Sequence, residues 1–300
     1  MTASFDIPVD RWMEELVNWC LDNLTALFDV ISLLVGAMVN NFERALLSVP
    51  VWLMISVVIV AALWRVSWRF AVFSLLSLGL ILGMDMWTET ISTLALILAA
   101  TLISLVLGLP LGILAAKSDL AEKIIRPILD LMQTLPPFVY LIPAAMFFGL
   151  GKVPGTMATI IFAMPPSVRL TNLGIRSVDV ELVEAGIAFG CTPRQLLFRV
   201  QLPMAMPSIM AGVNQTIMLA LSMVVIAAMI GAGGLGNEVL AGIQRLDIGR
   251  GFEGGFAVVI LAIILDRLSQ SFGRQEPQQT WLRRWWNTLL HSTRYEQDNP

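Results

Sequence analysis

Charged residues are scarce in this sequence of 300 residues: 14% are Asp, Glu, Lys or Arg, while 57% are hydrophobic. Soluble domains have about 25% charged and about 45–50% apolar residues. The mean hydropathy of +0.77 agrees with this shortage of charge. The composition therefore excludes an ordinary soluble protein and indicates an integral membrane protein. The net charge of −3, without a basic stretch, also argues against nucleic-acid binding.

Residues that usually build catalytic or metal sites are also few. Cys20 and Cys191 are the only cysteines, and His291 is the only histidine. Two distant cysteines do not form a disulfide framework, and a metal site needs several ligands. A phosphate-binding loop of the type G-x-x-x-x-G-K-[ST] is missing, since Val153 follows Gly151-Lys152. We therefore expect no catalytic residue, no metal ligand and no cofactor in this chain, and hence a protein that is not an enzyme.

Long uncharged runs show where the chain can cross a bilayer, which takes about 20 apolar residues per helix. Seven runs predict an all-α integral membrane protein with about seven transmembrane helices: 45–64, 70–84, 90–116, 131–151, 153–168, 200–237 and 254–265. Cytoplasmic segments carry an excess of Lys and Arg. With the N-terminus outside, 14 of the 19 Lys and Arg fall on the cytoplasmic side. We therefore predict an external N-terminus and a cytoplasmic C-terminus.

The segment before residue 45 is less apolar than the runs that follow it. Acidic residues interrupt it, and its longest uncharged run, 30–42, has 13 residues. That length favours an amphipathic helix lying at the outer membrane surface. If the segment spans the membrane instead, the N-terminus becomes cytoplasmic.

Residues 177–203 form a polar island between apolar runs, and its first half has the pattern of a short helix. Asp179 is a suitable N-cap, and Gly190 is a natural stop. Spacings of three and four predict one apolar face, made of Leu182, Ala185, Gly186 and Phe189.

The second half of this island predicts another short helix. Thr192 and Gln195 fit a capping box, with Pro193 at the first helical position. Leu202-Pro203 would end this helix before the next span. A pair of short helices at the membrane edge is either a solvated loop or a docking element for a soluble partner, since helix-in-groove recognition uses such elements.

The island resembles the EAA loop of the permeases of ABC importers. That signature has Glu-Ala-Ala, three residues, Gly, nine residues, Ile, one residue and Leu-Pro. Glu184-Ala185-Gly186, Gly190, Val200 and Leu202-Pro203 stand at the matching distances, with Gly for the third Ala and Val for Ile. The resemblance assigns coupling to an ATPase to Glu184, Ala185, Gly186, Gly190, Leu202 and Pro203. In that family the Glu and the Gly transmit ATP-driven closure.

Three further segments, 130–155, 201–236 and 259–270, are similar to permeases of glycine betaine/proline betaine importers and of the related choline importers. The resemblance implies a permease with the type I ABC importer fold in a bacterial inner membrane, working by alternating access. It also implies a second copy of this chain, two cytoplasmic ATPase subunits that bind ATP and Mg, and an extracytoplasmic binding protein. On this basis the chain divides into an external segment (1–44), two peripheral spans (45–84), a permease core (85–272) and a cytoplasmic tail (273–300).

Polar residues inside predicted spans are costly and need a reason. We expect the substrate path to involve Gln133, Thr134, Pro136, Pro137, Asn214, Gln215, Thr216 and Ser222. Such groups also join helices to one another, so this second role remains open. The glycine-rich stretch 231–236 predicts either a mobile external turn or a tight turn between helices. The alternatives for function are an ion-coupled secondary transporter and an ABC permease for another small solute such as an amino acid.

Overall fold

A computed structural model describes residues 8–273, and the regular elements of this part of the chain are all helical. The fourteen α-helices are α1 (Val9–Ser48), α2 (Val51–Arg65), α3 (Trp68–Gly83), α4 (Trp87–Lys117), α5 (Asp119–Thr134), α6 (Pro137–Phe148), α7 (Lys152–Ala163), α8 (Pro165–Arg176), α9 (Val180–Ala188), α10 (Pro193–Leu196), α11 (Leu202–Ser222), α12 (Val224–Ala228), α13 (Leu235–Arg245) and α14 (Ile248–Gly273). The all-helical fold class is confirmed. The tail 273–300, apart from its first residue, and residues 1–7 lie outside the described residues.

Four helical segments within residues 8–273 are long and apolar enough to cross a membrane: α1, α4, the run Pro193–Ser222 and α14. A fifth results if α5 and α6, which meet at an angle of 98°, count as one broken span. Helices α2 and α3 are apolar but have only 15 and 16 residues. The predicted number of seven spans is therefore not matched by helix length. Several of the uncharged runs that predicted whole spans lie on helices that are short or broken at a proline.

The centre of the fold is a close contact among α4, α8 and α11, in which small residues let the backbones approach. A Cβ atom added at Gly112 of α4 would lie 2.6 Å from the Thr171 Cβ of α8. A Cβ at Gly212 of α11 would lie 3.2 Å from the Leu170 Cβ of α8. In a bilayer, where lipid tails are as apolar as side chains, such small-residue packing is a main source of helix association. Helix α8 is thereby held between α4 and α11.

Helices α2 and α3 join this bundle through α14. Ile55 of α2 and Ile81 of α3 belong to the same buried cluster as Ile260 and Ile264 of α14. Arg65, at the end of α2, also lies over the ring of Phe272, with 4.6 Å between the guanidinium carbon and the ring centre. The hydrophobic core is therefore continuous across the boundary predicted at residues 84–85.

Helix α1 is one continuous element of 40 residues, which corresponds to about 60 Å at 1.5 Å per residue. Its Val35 and Val39 are buried in a cluster with Ala99 of α4, and the cluster extends to Ile103 near the middle of α4. Glu43, near its end, pairs with Lys152 at the start of α7. Helix α1 thus lies alongside a spanning helix. This packing does not fit a segment lying along the outer surface, and it favours the spanning alternative.

Sequence reasoning underestimated α1 because five acidic residues of this helix precede the uncharged run. These residues, Asp10, Glu14, Glu15, Asp22 and Asp29, are all exposed. Because they lie outside the contact with α4 and α7, they interrupt the apolar pattern without preventing the packing of residues 31–42.

Candidate coupling site and translocation path

Residues 177–203 form two helices joined by a tight turn, as predicted. Helix α9 ends at Ala188, and Gly190 has a φ of +77°, a conformation that glycine adopts without strain. The turn is closed by the Cys191 N–H, which donates to the Gly186 carbonyl at 3.0 Å. Gly190 is therefore confirmed as the stop of the first helix.

The second helix begins with the predicted capping box. The Thr192 N–H donates to Gln195 Oε1 at 2.8 Å, and the Gln195 N–H donates to Thr192 Oγ1 at 3.4 Å. The cap predicted for the first helix is only half right. Asp179 occupies the N-cap position of α9, but its carboxylate accepts no hydrogen bond from the first turn.

The second helix does not end at Leu202-Pro203, contrary to the sequence prediction. After α10 the chain passes through a π-helical turn, Leu197–Gln201, and continues directly into α11. The Leu202 N–H donates to the Leu197 carbonyl across this turn. Pro203 is tolerated because it stands near the start of the following helix, where no amide hydrogen is required. The second of the two short helices is thus continuous with α11 through this turn.

The packed face of α9 also differs from the predicted one. Of the four residues predicted to share it, only Gly186 is buried, and a Cβ there would lie 2.7 Å from Leu196 Cδ1. Phe189 is 89% exposed, and Leu182 and Ala185 are exposed as well. The close approach of α10 at Gly186 decides which side of α9 is covered, and that approach is not visible in the helical spacing.

Exposed apolar side chains project from the two short helices of residues 177–203, which we call the candidate coupling pair or, for short, the coupling pair. They are Val180, Ile187, Phe189 and Phe198, each more than half exposed. Glu184 is exposed too, and it takes part in none of the five ion pairs found within residues 8–273. Contiguous exposed apolar side chains of this kind mark surfaces that contact another protein or the membrane.

A network of charges ties α8 to α5 next to the coupling pair. Arg176, the last residue of α8, contacts Asp119 at 2.7 Å and Glu122 at 3.1 Å. Further along, Arg169 contacts Asp130 at 2.6 Å. All of these residues except Asp119 border a cavity of about 350 Å³ between α4, α5 and α8. Because α8 leads directly into α9, the network fixes the position from which the coupling pair starts.

The predicted path residues do not come together at one place. Gln133 is half-buried and Thr134 exposed at the end of α5. Pro136 and Pro137 lie at the 98° bend between α5 and α6. A second group, Asn214 to Ser222, lies on α11. The first group therefore shapes a bend, and only the second group follows a single spanning helix.

The four predicted residues on α11 point in different directions. Asn214 Nδ2–H donates to Asp266 Oδ1 of α14 at 3.1 Å, so it joins two helices. Thr216 is fully buried. Gln215 and Ser222 are exposed, and the Ser222 hydroxyl donates to the Met218 carbonyl at 3.0 Å. The helix-joining role thus applies to Asn214, and an open surface remains only at Gln215 and Ser222.

Sequence reasoning missed the partner of Asn214. Asp266 lies on α14, six residues before Phe272, the last residue of the candidate span. Gln270 Nε2–H also donates to Asp266 Oδ1, at 2.8 Å. The spacing of four between Asp266 and Gln270 was a usable signal for a shared helix face. The contact with Asn214 spans 52 positions and has no local signature.

Sequence reasoning also missed Phe28 of α1. Its ring stacks on that of Phe147 with 4.5 Å between centres, and it meets Phe148 edge-on at 5.6 Å. At that separation no cation fits between Phe28 and Phe147. This aromatic cluster therefore attaches α1 to α6.

The glycine-rich stretch 231–236 is a tight turn between helices. Gly234 has a φ of +68°, and a Cβ there would lie 2.4 Å from Thr93 Oγ1. The following Leu235 N–H donates to Thr93 Oγ1 at 2.8 Å. The Gly151 N–H donates to the Ile230 carbonyl at 2.8 Å and so joins this turn to the α6–α7 turn. Of the two roles left open by the sequence, close packing is the one observed.

Comparisons with known proteins agree with this architecture. Residues 108–275 match the family model described as "Binding-protein-dependent transport system inner membrane component". The chain is 52% identical over 283 residues to the glycine betaine/proline betaine transport system permease protein of Escherichia coli, covering 94% of this chain and 79% of that protein. It is 51% identical over 273 residues to the glycine betaine/carnitine transport permease protein of Listeria monocytogenes, covering 90% and 96%.

A solved structure shares the fold. The inward-facing MetNI methionine ABC transporter contains a chain that aligns with a TM-score of 0.53 at 25% identity, over 63% of this chain and 92% of that one. Family membership replaces the alternative of an ion-coupled secondary transporter. The chain belongs to the inner membrane components of binding-protein-dependent transport systems, that is, to the multi-pass permeases of ABC importers.

Proposed function

We propose that this permease carries glycine betaine, proline betaine or a related quaternary amine such as choline into the cell. The observation that supports this proposal is identity above 50% over nine-tenths of the chain to permeases named for such solutes. Cargo delivered by a separate binding protein needs only weak contacts inside the permease. In agreement with this, the rings of Phe28 and Phe147 are stacked on each other and leave no room for a cation between them.

The working assembly in this proposal has two copies of the chain, two cytoplasmic ATPase subunits and one extracytoplasmic binding protein. ATP and Mg belong to the ATPase subunits. The coupling pair around Glu184 docks into each ATPase through its exposed apolar groups and the short side chain of Ala185. Gly186 allows α10 to pack closely on α9, and Gly190 sets the angle between the two helices. Since α10 continues into α11 through Leu202 and Pro203, closure of the ATPases tilts α11 and opens the path to the other side.

The orientation in this proposal places residues 177–203 and the end of α14 in the cytoplasm. Most Lys and Arg then lie inside, as the positive-inside rule expects. The packing of α1 along α4 favours a crossing by α1 as well, which puts the N-terminus in the cytoplasm instead of outside. Arg11 then joins the inner side, and the bias of basic residues increases.

Transport in a defined system tests this function. The permease is reconstituted into liposomes with its ATPase and binding protein, and uptake of labelled glycine betaine, choline and methionine is followed with and without ATP. We expect ATP-dependent accumulation of glycine betaine or choline and none of methionine. Accumulation of methionine alone would assign the permease to amino-acid import and refute the proposed cargo.

A further inference from the structure

A carboxylate lies inside the span formed by α14. Asp266 precedes Phe272, the last residue of the spanning segment, by six residues, or about 9 Å of helix. Acidic residues within spans are expensive and usually serve a path or a partner. The position of Asp266 therefore requires an explanation beyond the packing of α14.

Only uncharged groups are hydrogen-bonded to this carboxylate. Asn214 Nδ2–H and Gln270 Nε2–H donate to Oδ1 at 3.1 and 2.8 Å. The Ser269 hydroxyl is bonded to Asn214 Oδ1 and lies 3.0 Å from the Asp266 main-chain oxygen. None of the five ion pairs within residues 8–273 includes Asp266. The amides orient the carboxylate and leave its negative charge without a cationic partner among these contacts.

An exposed face of α11 that carries two polar side chains, Gln215 and Ser222, runs close to this carboxylate. Its exposed residues follow spacings of four, three and four along one helix face: Ala211, Gln215, Met218 and Ser222. A helix face turned toward lipid would be apolar, whereas exposed polar groups in a span face water or protein. Asn214, which holds Asp266, directly precedes Gln215 on the edge of this face. Asp266 is half-buried, and because its partner Asn214 adjoins the exposed Gln215, the carboxylate lies close to this exposed face.

We propose that Asp266, oriented by Asn214 and Gln270, attracts the trimethylammonium group of the substrate within the permease. The inference rests on the proposed function, since it supplies the contact that a quaternary ammonium cargo would need. A methylated ammonium group donates no hydrogen bond, so charge attraction by an already oriented carboxylate is the suitable interaction. One carboxylate without an enclosing aromatic cage gives weak binding, which allows release toward the cytoplasm.

The test compares Asp266→Asn with the wild type in the full reconstituted complex. Asparagine has the same shape, and its carbonyl still accepts from Asn214 and Gln270, so the variant removes charge while it keeps the link between α11 and α14. The control is Asp29→Asn, which removes an exposed carboxylate from α1. We expect a tenfold or larger fall in the uptake rate of glycine betaine for Asp266→Asn, and wild-type uptake for the control.

A second measurement on the wild type does not depend on the folding of a variant. Binding of choline and of its neutral carbon analogue to the complex without binding protein is compared by ligand-observed NMR. We expect choline to bind at least tenfold more tightly than the analogue. Equal binding of the two, or normal uptake by Asp266→Asn, would overturn the role of Asp266. If instead the wild type imported no quaternary amine, the proposed function itself would fail.

Discussion

Gly174 of α8 lies where the two helices that carry the coupling pair cross most closely. A Cβ added there would lie 2.7 Å from Ser208 Cβ and 3.2 Å from the Ala205 carbonyl oxygen, both on α11. Neither neighbour is the flexible end of a long side chain, so Gly174→Ala must push α8 and α11 apart. Because α8 leads into α9 and α11 continues from α10, this separation changes the geometry of the coupling pair.

The expected change in the free energy of unfolding follows from two opposing effects. Alanine gains about 1 kcal/mol over glycine in a helix, whereas overpacking costs about 1–3 kcal/mol. Gly79 of α3 is the matched control, because a Cβ there meets nothing within 4 Å. The difference in the free energy of unfolding between Gly79→Ala and Gly174→Ala isolates the overpacking, and we expect about 1–3 kcal/mol.

Reversible unfolding in mixed detergent micelles measures this difference, and ATP-dependent uptake measures its effect on transport. Gly79→Ala should be at least as stable as the wild type and fully active. Gly174→Ala should be less stable than the control and slower in uptake. Adding Ser208→Gly removes the 2.7 Å contact and should recover part of the loss, after allowance for the lower helix propensity of glycine. Equal stability of the two alanine variants would refute the close contact of α8 with α11.

Three further outcomes are expected from other parts of the molecule. Glu184→Lys should insert normally into the membrane but abolish uptake and binding of the ATPase, whereas Glu181→Lys should retain both; unchanged uptake by the first would remove the coupling assignment. Lys152→Glu should lower the free energy of unfolding by about 1–2 kcal/mol, since it places a negative charge opposite Glu43. Adding Glu43→Lys should restore stability, and failure to do so would contradict the packing of α1 on α7. A cysteine at Arg194, in a cysteine-free background, should react with an impermeant maleimide only in inside-out vesicles; labelling in right-side-out vesicles would contradict the orientation.

Local patterns in the sequence correctly predicted the turn at Gly190 and the start of the second short helix. A capping box depends on two residues three positions apart, and the Gly190 turn depends on one residue without a side chain. Both are decided within one turn of helix, so they can be read without the rest of the fold. The same holds for the membrane class, which follows from the scarcity of charge.

Contacts between distant segments were predicted poorly. The covered side of α9 depends on Leu196 approaching Gly186, and the role of Asn214 depends on Asp266, 52 positions away. The hydrophobic pattern of a membrane helix does not reveal these partners, since lipid and protein neighbours both suit apolar side chains. The polar residues grouped as one path therefore separated into a bend, a helix link and an exposed face.

The sequence alone thus predicted a helical membrane protein with a pair of short helices between apolar runs, because composition and helix-end chemistry are local properties, and the resemblance of that pair to the EAA loop indicated a permease. Only the tertiary structure decided that α1 lies along α4, that α10 is continuous with α11 through a π-helical turn, and that Asp266 is held by Asn214. The first and the third depend on distant segments that meet in space, through an apolar cluster and through one hydrogen bond. These contacts are fixed by the packing of the whole helix bundle.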